Sequence, residues 1–555
     1  MLLGIDVGGT FTDAVVVDAG AVIAQAKAPT THGDLLCGVL AAMDMALEGI
    51  DAGRLERVAL STTIVTNAVV EGKTDRVGLL LMPGPGMDIT ALVPEKPYLL
   101  SGYIDHRGRE TAKPQEAEVA AACRELKDRR VFAVVGKFAV RNPMHEVTAA
   151  QWVNRFAEPD YVTTGAAISG ALNFWRRANS AYYNSAVWRP FGRFAAAINQ
   201  AMTERGIQAP VYVLKADGGT MPLAAAALRP VEAVFTGPAA SVLGILALTT
   251  PQGEAVSLDI GGTSTDIALW RDGIPLFAER GARIAGYPTA VRSFWLHSVG
   301  IGGDSYVRRE QGKLAVGPMR QGPAMAVGGP VPTVTDAMIV AGLAAFGDKA
   351  RATEAMRQVA AAGQTPEEAA QSVLDEAADT IFAAIGAMID ERAAEPVYRV
   401  DDIVHGSRPD PRTVVGVGGA AAGLAPLVAR RLGVSCTVPE RAMVANAIGA
   451  AVARPTLEVT LRADTAQGYY TIAEMGFKAG LPAKRMTLAD ARELAARHLA
   501  ERAAQAGIPV TAVETTFAEE FNLVRGFSTT GKIITCRLQI KPGVFSGIAG
   551  EGGAS

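Results

Sequence analysis

One pattern, D-x-G-G-T-x-T-D, occurs twice in this chain and constrains its fold more than any other feature. The first copy runs Asp6-Val7-Gly8-Gly9-Thr10-Phe11-Thr12-Asp13 and the second Asp259-Ile260-Gly261-Gly262-Thr263-Ser264-Thr265-Asp266. An apolar run leads into each copy and another follows it, Ala14 to Val17 and Ile267 to Trp270. Apolar runs on both sides of a glycine pair predict a hairpin between two buried strands. A motif repeated at the start of each half predicts two related α/β domains with a cleft between them, the usual place for a small ligand. The segments between the copies agree, because helix-period stretches alternate with short apolar strands such as Val131 to Val135 and Val211 to Leu214.

The pattern also has a chemistry. Paired glycines let the backbone approach a ligand, and successive N–H groups in such a turn form a concavity for phosphate oxygens. This assigns Gly8, Gly9, Thr10, Thr12, Gly261, Gly262, Thr263 and Thr265 to phosphate binding. Asp6, Asp13, Asp259 and Asp266 offer hard oxygen ligands to Mg²⁺. A single copy reads equally well as an ordinary turn with a solvated acid; two copies favour a nucleotide-phosphate clamp.

Further along, Thr365-Pro366-Glu367-Glu368 is a capping box with proline at the first helical position, and apolar residues from Leu374 to Met388 follow at helical spacing. One long helix ending near Ala394 is predicted, then a buried strand from Thr413 breaking into a glycine turn, and a helix from about Gly423 to Leu432. We divide the chain into an N-terminal lobe (1–240), a second lobe (241–455) and a small C-terminal α+β region (456–555). That last region is predicted to hold a helix of about twenty residues from near Thr487, strands around Val510 to Phe517 and Lys532 to Lys541, and a frayed glycine-rich tail from Gly543.

The pairing of hairpins resembles the actin, sugar-kinase and heat-shock chaperone ATPase superfamily. Three other segments fit its order: Thr236-Gly237-Pro238-Ala239-Ala240 as the first connecting segment, Val415-Gly416-Val417-Gly418-Gly419-Ala420 as the adenosine motif, and Ala445 to Ala450 as the second connecting helix. The wording is closest to the hydantoinase A, 5-oxoprolinase and acetone carboxylase β-subunit family. Its signatures resemble Gly4 to Asp13, Ser61-Thr62-Thr63-Ile64-Val65-Thr66-Asn67-Ala68, Asp217-Gly218-Gly219, Val299 to Ser305, Val316-Gly317-Pro318 and Pro332 to Ala337. Ser61 stands where the family has histidine, and Asp304 where it has a third glycine.

The resemblance implies an α/β fold of two ribonuclease-H-like (actin-like ATPase) domains flanking a nucleotide cleft, with a helical insertion. It implies ATP and Mg²⁺, with the metal held by Asp6, Asp259 and Asp266 and with Gly418 and Gly419 on the adenosine side. Asp13 would orient the attacking group, and Thr62, Thr63, Asn67, Asp217 and Asp304 would line the substrate side. The implied activity is ATP-dependent activation of a cyclic amide (hydantoin, oxoproline or lactam) for ring opening, with a hydantoinase B-type subunit. A small-molecule kinase and an accessory ATPase that remodels a protein partner remain as alternatives, and self-association is compatible with the sequence.

Composition excludes other classes. The 555 residues carry 53 basic and 56 acidic side chains, a net charge of −3, too little bias to imply nucleic acid or an anionic membrane as partner. Cys37, Cys123, Cys436 and Cys536 are widely spaced, and no secretory signal pattern opens the chain, so a reducing cytoplasm is expected. Gly526 to Lys532 spells most of a P-loop, but Ile533 replaces the Mg²⁺-binding hydroxyl, and a loop before a strand is expected. No H-E-x-x-H pair or G-x-S-x-G elbow occurs. His297 with Asp304 and Asp105-His106 are left as candidates for a substrate pocket, while Arg107-Gly108-Arg109 and Arg176-Arg177 are read as surface charge.

Overall fold

The computed structural model describes residues 1–31, 35–278, 280–395, 408–482 and 485–548. Both copies of the repeated motif form the predicted hairpins. In the first, Leu2–Val7 pairs antiparallel with Phe11–Asp18 so that Asp6 faces Asp13. In the second, Glu254–Ile260 pairs with Thr265–Arg271 so that Asp259 faces Asp266. The hairpins seed equivalent sheets. The first sheet adds Ala21–Pro29 on one side, and Arg57–Thr62 and Val211–Leu214 in parallel on the other. The second adds Ile274–Pro275 on one side, and Thr413–Val417 and Ser435–Thr437 in parallel on the other. Each lobe therefore has the strand order third, second, first, fourth, fifth, the ribonuclease-H-like arrangement.

Each lobe carries an insertion. In the first, a four-stranded parallel sheet centred on Val77–Met82 and Val131–Gly136 lies between the fourth and fifth strands. Its two central strands are buried on both faces, as parallel strands covered by helices must be. In the second, the helices Val334–Val340, Lys349–Val359 and Pro366–Ala393 form a helical insertion, the last opening with the capping box at Thr365 and Glu368.

Two helices join the lobes, Thr236–Leu248 and Ala445–Val452, and their small residues let the backbones nearly touch. A Cβ on Gly244 would lie 2.1 Å from the Ala445 carbonyl oxygen, and one on Gly449 would lie 2.1 Å from that of Ala240. Gly4, on the first strand, is equally confined by the Ala447 carbonyl oxygen at 2.1 Å. Glycine is needed here for close approach.

The C-terminal region is larger in strand content than the sequence suggests. Glu458–Asp464, Tyr469–Ile472 and Phe477–Gly480 join a long ribbon, Val513–Arg525 with Ser528–Ile540, in one five-stranded antiparallel sheet. The helix Leu488–Gln505, capped by Thr487, packs on its apolar face. Gly526 to Lys532 spans the tip of the ribbon, where Lys532 Nζ pairs with Glu520 Oε1 at 2.6 Å; no helix follows, so the P-loop geometry is absent at this segment.

Two expectations need correction. Residues 543–548 do not fray: the Phe545 N–H donates to the Val452 carbonyl and the Ile548 N–H to the Ala247 carbonyl, each at 2.8 Å, seating the segment over the connecting helices. The remainder of the tail lies outside the described residues, as do His32 and His405. Arg177 is not surface charge but is fully buried, donating to the carbonyls of Ala171, Gly136 and Lys137. No helix among the described residues is long and apolar enough to cross a membrane.

The contact between connecting helices generates a paired prediction. Gly449→Ala should lower stability by about 1–3 kcal/mol, the usual range for forcing a methyl into packed space. Gly386→Ala, on the helix Pro366–Ala393 with nothing within 4 Å of the added carbon, should be neutral or stabilising. Denaturant unfolding of both variants checks this; equal effects would contradict it.

Candidate functional site

The two glycine turns meet. Each is closed by a backbone bond across its tip, from the Gly8 N–H to the Phe11 carbonyl at 3.1 Å and from the Gly261 N–H to the Ser264 carbonyl at 3.0 Å. A Cβ on Gly262 would lie 3.1 Å from Thr10 Oγ1, and one on Gly9 would lie 3.8 Å from Thr263 Oγ1, so the lobes touch at their turns. Gly8, Gly9, Thr10, Gly261, Gly262 and Thr263 all keep accessible surface. Thr12 and Thr265 are instead fully buried and their hydroxyls are engaged, with Thr30 Oγ1 at 3.1 Å and with the Ile301 carbonyl at 2.7 Å. In this geometry they brace the turns.

The segment Gly302-Gly303-Asp304 lies along the second turn. The Gly303 N–H donates to the Gly261 carbonyl at 2.9 Å and the Asp304 N–H to the Gly262 carbonyl at 2.6 Å. Asp304 thus sits beside the phosphate turns, paired with Arg320 at 3.2 Å. His297 is exposed on a neighbouring strand, in register with Ile267. Gly418 has φ near +92°, and a Cβ there would lie 2.6 Å from Asp259 Oδ1, whereas Gly419 faces open space.

The four motif aspartates form one electrostatic cluster. Burial pushes the Asp6 carboxyl up to about 7, with the facing Asp13 adding to the rise and Ser61 and Asn446 opposing it. Burial likewise raises Asp259 to about 8, reinforced first by Asp266 and then by Asp6 and Asp13 from the other lobe. Asp266, which keeps some exposure, is raised to about 6, chiefly by burial. Asp13 is raised by burial against the pull of Lys27, whose Nζ lies 2.6 Å away. Asn446, on the second connecting helix, donates to Asp259 Oδ2 at 2.9 Å while also steadying Asp6, and so bridges the lobes. Asp6 Oδ1 is buried with no hydrogen-bond partner. Among the described residues no group of three or more His, Cys, Asp or Glu side chains closes into a metal cage. The orphaned oxygen and the mutual repulsion nevertheless fit a cation held by one or two carboxylates with water completing its shell.

Other expected residues divide. Thr62 ends the fourth strand, in register with Val7 beside the first turn, and Thr63 follows it. Thr236 Oγ1 accepts from the Thr62 N–H at 2.9 Å and donates to its carbonyl at 2.7 Å. Asn67 Nδ2 donates to Thr63 Oγ1 at 3.2 Å. Asp217 is 2% exposed and turned toward the C-terminal sheet, accepting from Gln539 Nε2 at 2.6 Å, with Lys215 Nζ at 3.5 Å. Sequence reading did not single out Asn446, Lys27, Ser61 or Arg320 as site residues. Lys27 alone left a local signal, being placed across from Asp13 on an alternating edge strand.

Because Asp6, Asp259 and Asp266 titrate above the ordinary 3.8, the folded protein retains protons that the unfolded chain has released. Their contribution to stability is therefore full below about pH 4 and is lost as pH rises through about 6 to 8. Without added ligand, the protein should lose more melting temperature between pH 5 and pH 8 than the Asp6→Asn, Asp259→Asn double variant. Parallel melting curves for the two would contradict the assigned protonation.

Comparison with known proteins accords with this geometry. Residues 177–459, just over half of the chain, match the hydantoinase/oxoprolinase family, and residues 2–156 match the hydantoinase/oxoprolinase N-terminal region. Caprolactamase subunit alpha of Pseudomonas jessenii is 30% identical over 386 residues, covering 62% of this chain and 55% of the relative. Acetophenone carboxylase gamma subunit of Aromatoleum aromaticum is 26% identical over 398 residues, 61% of this chain and 53% of the relative. The chain spans about half the length of the curated relatives it matches first. In structure it is similar to nucleotide-free acetone carboxylase (TM-score 0.72, 19% identity, 98% of this chain and 87% of that one). It is also similar to the ATP-dependent caprolactamase from Pseudomonas jessenii (TM-score 0.70, 22% identity, 97% and 87%). These likenesses establish the shared fold. With two duplicated hairpins meeting at one acidic cleft and both family regions matched in order, this chain belongs to the hydantoinase/oxoprolinase family.

Proposed function

We propose that this chain is the ATP-using component of an enzyme that opens a cyclic amide such as a hydantoin, oxoproline or lactam. The observation that carries the reading is the convergence of Asp6, Asp13, Asp259 and Asp266 on one point between two glycine turns, bridged by Asn446. Relatives described as an ATP-dependent caprolactamase and a 5-oxoprolinase support it.

An amide carbonyl resists attack because resonance feeds its carbon. Transfer of the γ-phosphoryl group to the amide oxygen, with ADP leaving, removes that resistance. One water then adds to the carbon and the ring C–N bond breaks, its electrons and a proton going to the nitrogen; a second water releases phosphate from the resulting acyl phosphate. The protein's part is positioning and charge stabilisation. Backbone N–H groups of Gly9, Thr10, Gly262 and Thr263 would cradle the phosphates, with the Gly8 and Gly261 N–H groups closing the turns that present them, and Gly418 and Gly419 would admit the adenosine side. Mg²⁺, when bound, would neutralise charge on the phosphates, with Asp6, Asp259 and Asp266 as its holders directly or through water. Asp13, kept close to Lys27, would orient the attacking group. Thr62, Thr63 and Asn67 would face the substrate. Asp217 and Asp304, by their present contacts, would act on that side only through neighbours.

Relatives described as a subunit alpha and a gamma subunit support assembly with a further protein, for which a hydantoinase B-type subunit is our candidate. The test is a coupled assay of the purified chain with Mg-ATP and a panel of cyclic amides, with and without a B-type subunit, following ADP, free phosphate and organic phosphate. The chain alone should hydrolyse ATP slowly, and the B-type subunit should restore ring opening with free phosphate. Asp6→Asn or Asp259→Asn should cut turnover at least about tenfold, equivalent to about 1.4 kcal/mol, with folding intact. Phosphate retained on the organic product would make the chain a kinase, and efficient opening by the chain alone would remove the two-subunit reading.

A further inference from the structure

The C-terminal sheet has two faces of opposite character. Leu461, Ala463, Tyr470 and Ile472 point to the helix Leu488–Gln505 and form its apolar core. Strand alternation puts Arg462 and Asp464 on the other face, and the cross-strand partners Thr471 and Tyr469 with them. This second face is closed by the first lobe's insertion. Tyr469 Oη donates to the Arg107 carbonyl at 3.0 Å, and a Cβ on Gly108 would lie 2.8 Å from Tyr469 Oη and 3.3 Å from Arg141 Cβ.

Arg462 is 4% exposed, and Nε, Nη1 and Nη2 are all buried with no carbonyl or carboxylate acceptor in hydrogen-bonding geometry; the Tyr469 hydroxyl, itself donating to the Arg107 carbonyl, is the side-chain group that meets its guanidinium. The hydroxyl of its cross-strand neighbour Thr471, 2% exposed, is also buried and unpartnered. Arg141 is 8% exposed with its Nε orphaned, and Arg107 Nε is orphaned too. The buried charges do not cancel. Asp464 Oδ1 is taken by the Ala466 and Gln467 N–H groups, while Oδ2 lies 3.9 Å from Arg107 Nη2. Asp105 is committed to Arg109 and to the Arg107 and Arg109 N–H groups. Two carboxylates, Asp105 and Asp464, therefore face the four guanidinium groups of Arg107, Arg109, Arg141 and Arg462. Arg141 and Arg462 are held below the usual arginine range by burial first, and Arg141 further by Arg462.

The fully buried Arg177 of the same chain shows the usual remedy, three carbonyl acceptors around one guanidinium. Arg462 lacks it. A buried guanidinium left without such acceptors is costly, and its planar donor fork suits carboxylate and phosphate oxygens.

We propose that Arg462, Arg141, Arg107 and Thr471 form a binding site for a small oxyanion, a phosphate or carboxylate group, at the junction of the first lobe's insertion and the C-terminal sheet. The site is separate from the glycine turns and does not depend on the function proposed for them. An anion there would tie the C-terminal region to the insertion.

Thermal unfolding and calorimetry of the full chain with inorganic phosphate, bicarbonate or acetate, against chloride at equal ionic strength, test this. At saturation at least one of the oxyanions should raise the wild-type melting temperature by at least about 2 °C. Arg462→Met should fold and lose the rise. Thr471→Val, nearly isosteric, should weaken oxyanion binding at least about threefold, and it decides the matter if Arg462→Met does not fold. Phosphate as the strongest ligand would mark a phosphate site; bicarbonate or acetate would mark a carboxylate site. No rise with any oxyanion, or a rise unchanged in these variants, would overturn the proposal.

Discussion

The structure depends on four like charges being held where water is scarce. Asp6, Asp13, Asp259 and Asp266 sit at the ends of two strand pairs, one in each lobe, and the repulsion among them opposes closure of the lobes. Closure is nonetheless found, because the connecting helices approach through Gly244, Gly449 and Gly4 at distances no larger residue would allow. Asn446, on one of those helices, hydrogen-bonds across the acidic cluster. Burial first, and for Asp6 and Asp259 the neighbouring carboxylates second, raise the carboxyls above their ordinary value, and protonation relieves both costs. Lobe closure and proton binding are in this way linked through a single set of groups, the same groups proposed to hold a cation.

That linkage gives the motif residues different tasks despite their adjacency. The glycines and the first threonine of each turn remain accessible. The second threonines, Thr12 and Thr265, are sealed behind the turns and fix their shape through Thr30 and the Ile301 carbonyl. The Gly302 to Asp304 segment lies along the second turn and carries Arg320 on Asp304, while Lys27 pairs directly with Asp13 in the first lobe. The C-terminal sheet is docked through Gln539 on Asp217 and through Tyr469 on the Arg107 carbonyl of the first lobe's insertion, away from the turns.

Much of the fold was legible in the sequence because local and global signals coincide at the hairpins. A glycine pair between apolar runs specifies the turn, and the period of two then fixes Asp6 opposite Asp13 and Asp259 opposite Asp266. The capping box at Thr365 likewise marked a helix start. What stayed hidden was long-range. Nothing near Asn446 in the chain announces that its amide reaches Asp259, and Asp217 looks like a substrate residue until Gln539 is seen upon it. The burial of Arg177 and Arg462 was missed because a charged residue reads as exposed unless its partners, or their absence, are known in space. The strands from Glu458 to Gly480 were missed because their polar face meets another unit of the protein, so the alternation resembles that of a solvated segment.

The central claim is that both glycine turns act on one nucleotide. A crystal structure of the full chain with Mg²⁺ and a non-hydrolysable ATP analogue tests it most directly. The account predicts one nucleotide whose terminal phosphates contact backbone N–H groups from both Gly8–Thr10 and Gly261–Thr263, with its adenosine beside Gly418 and Gly419. A nucleotide bound elsewhere, or phosphates touching only one turn in a closed molecule, would contradict it.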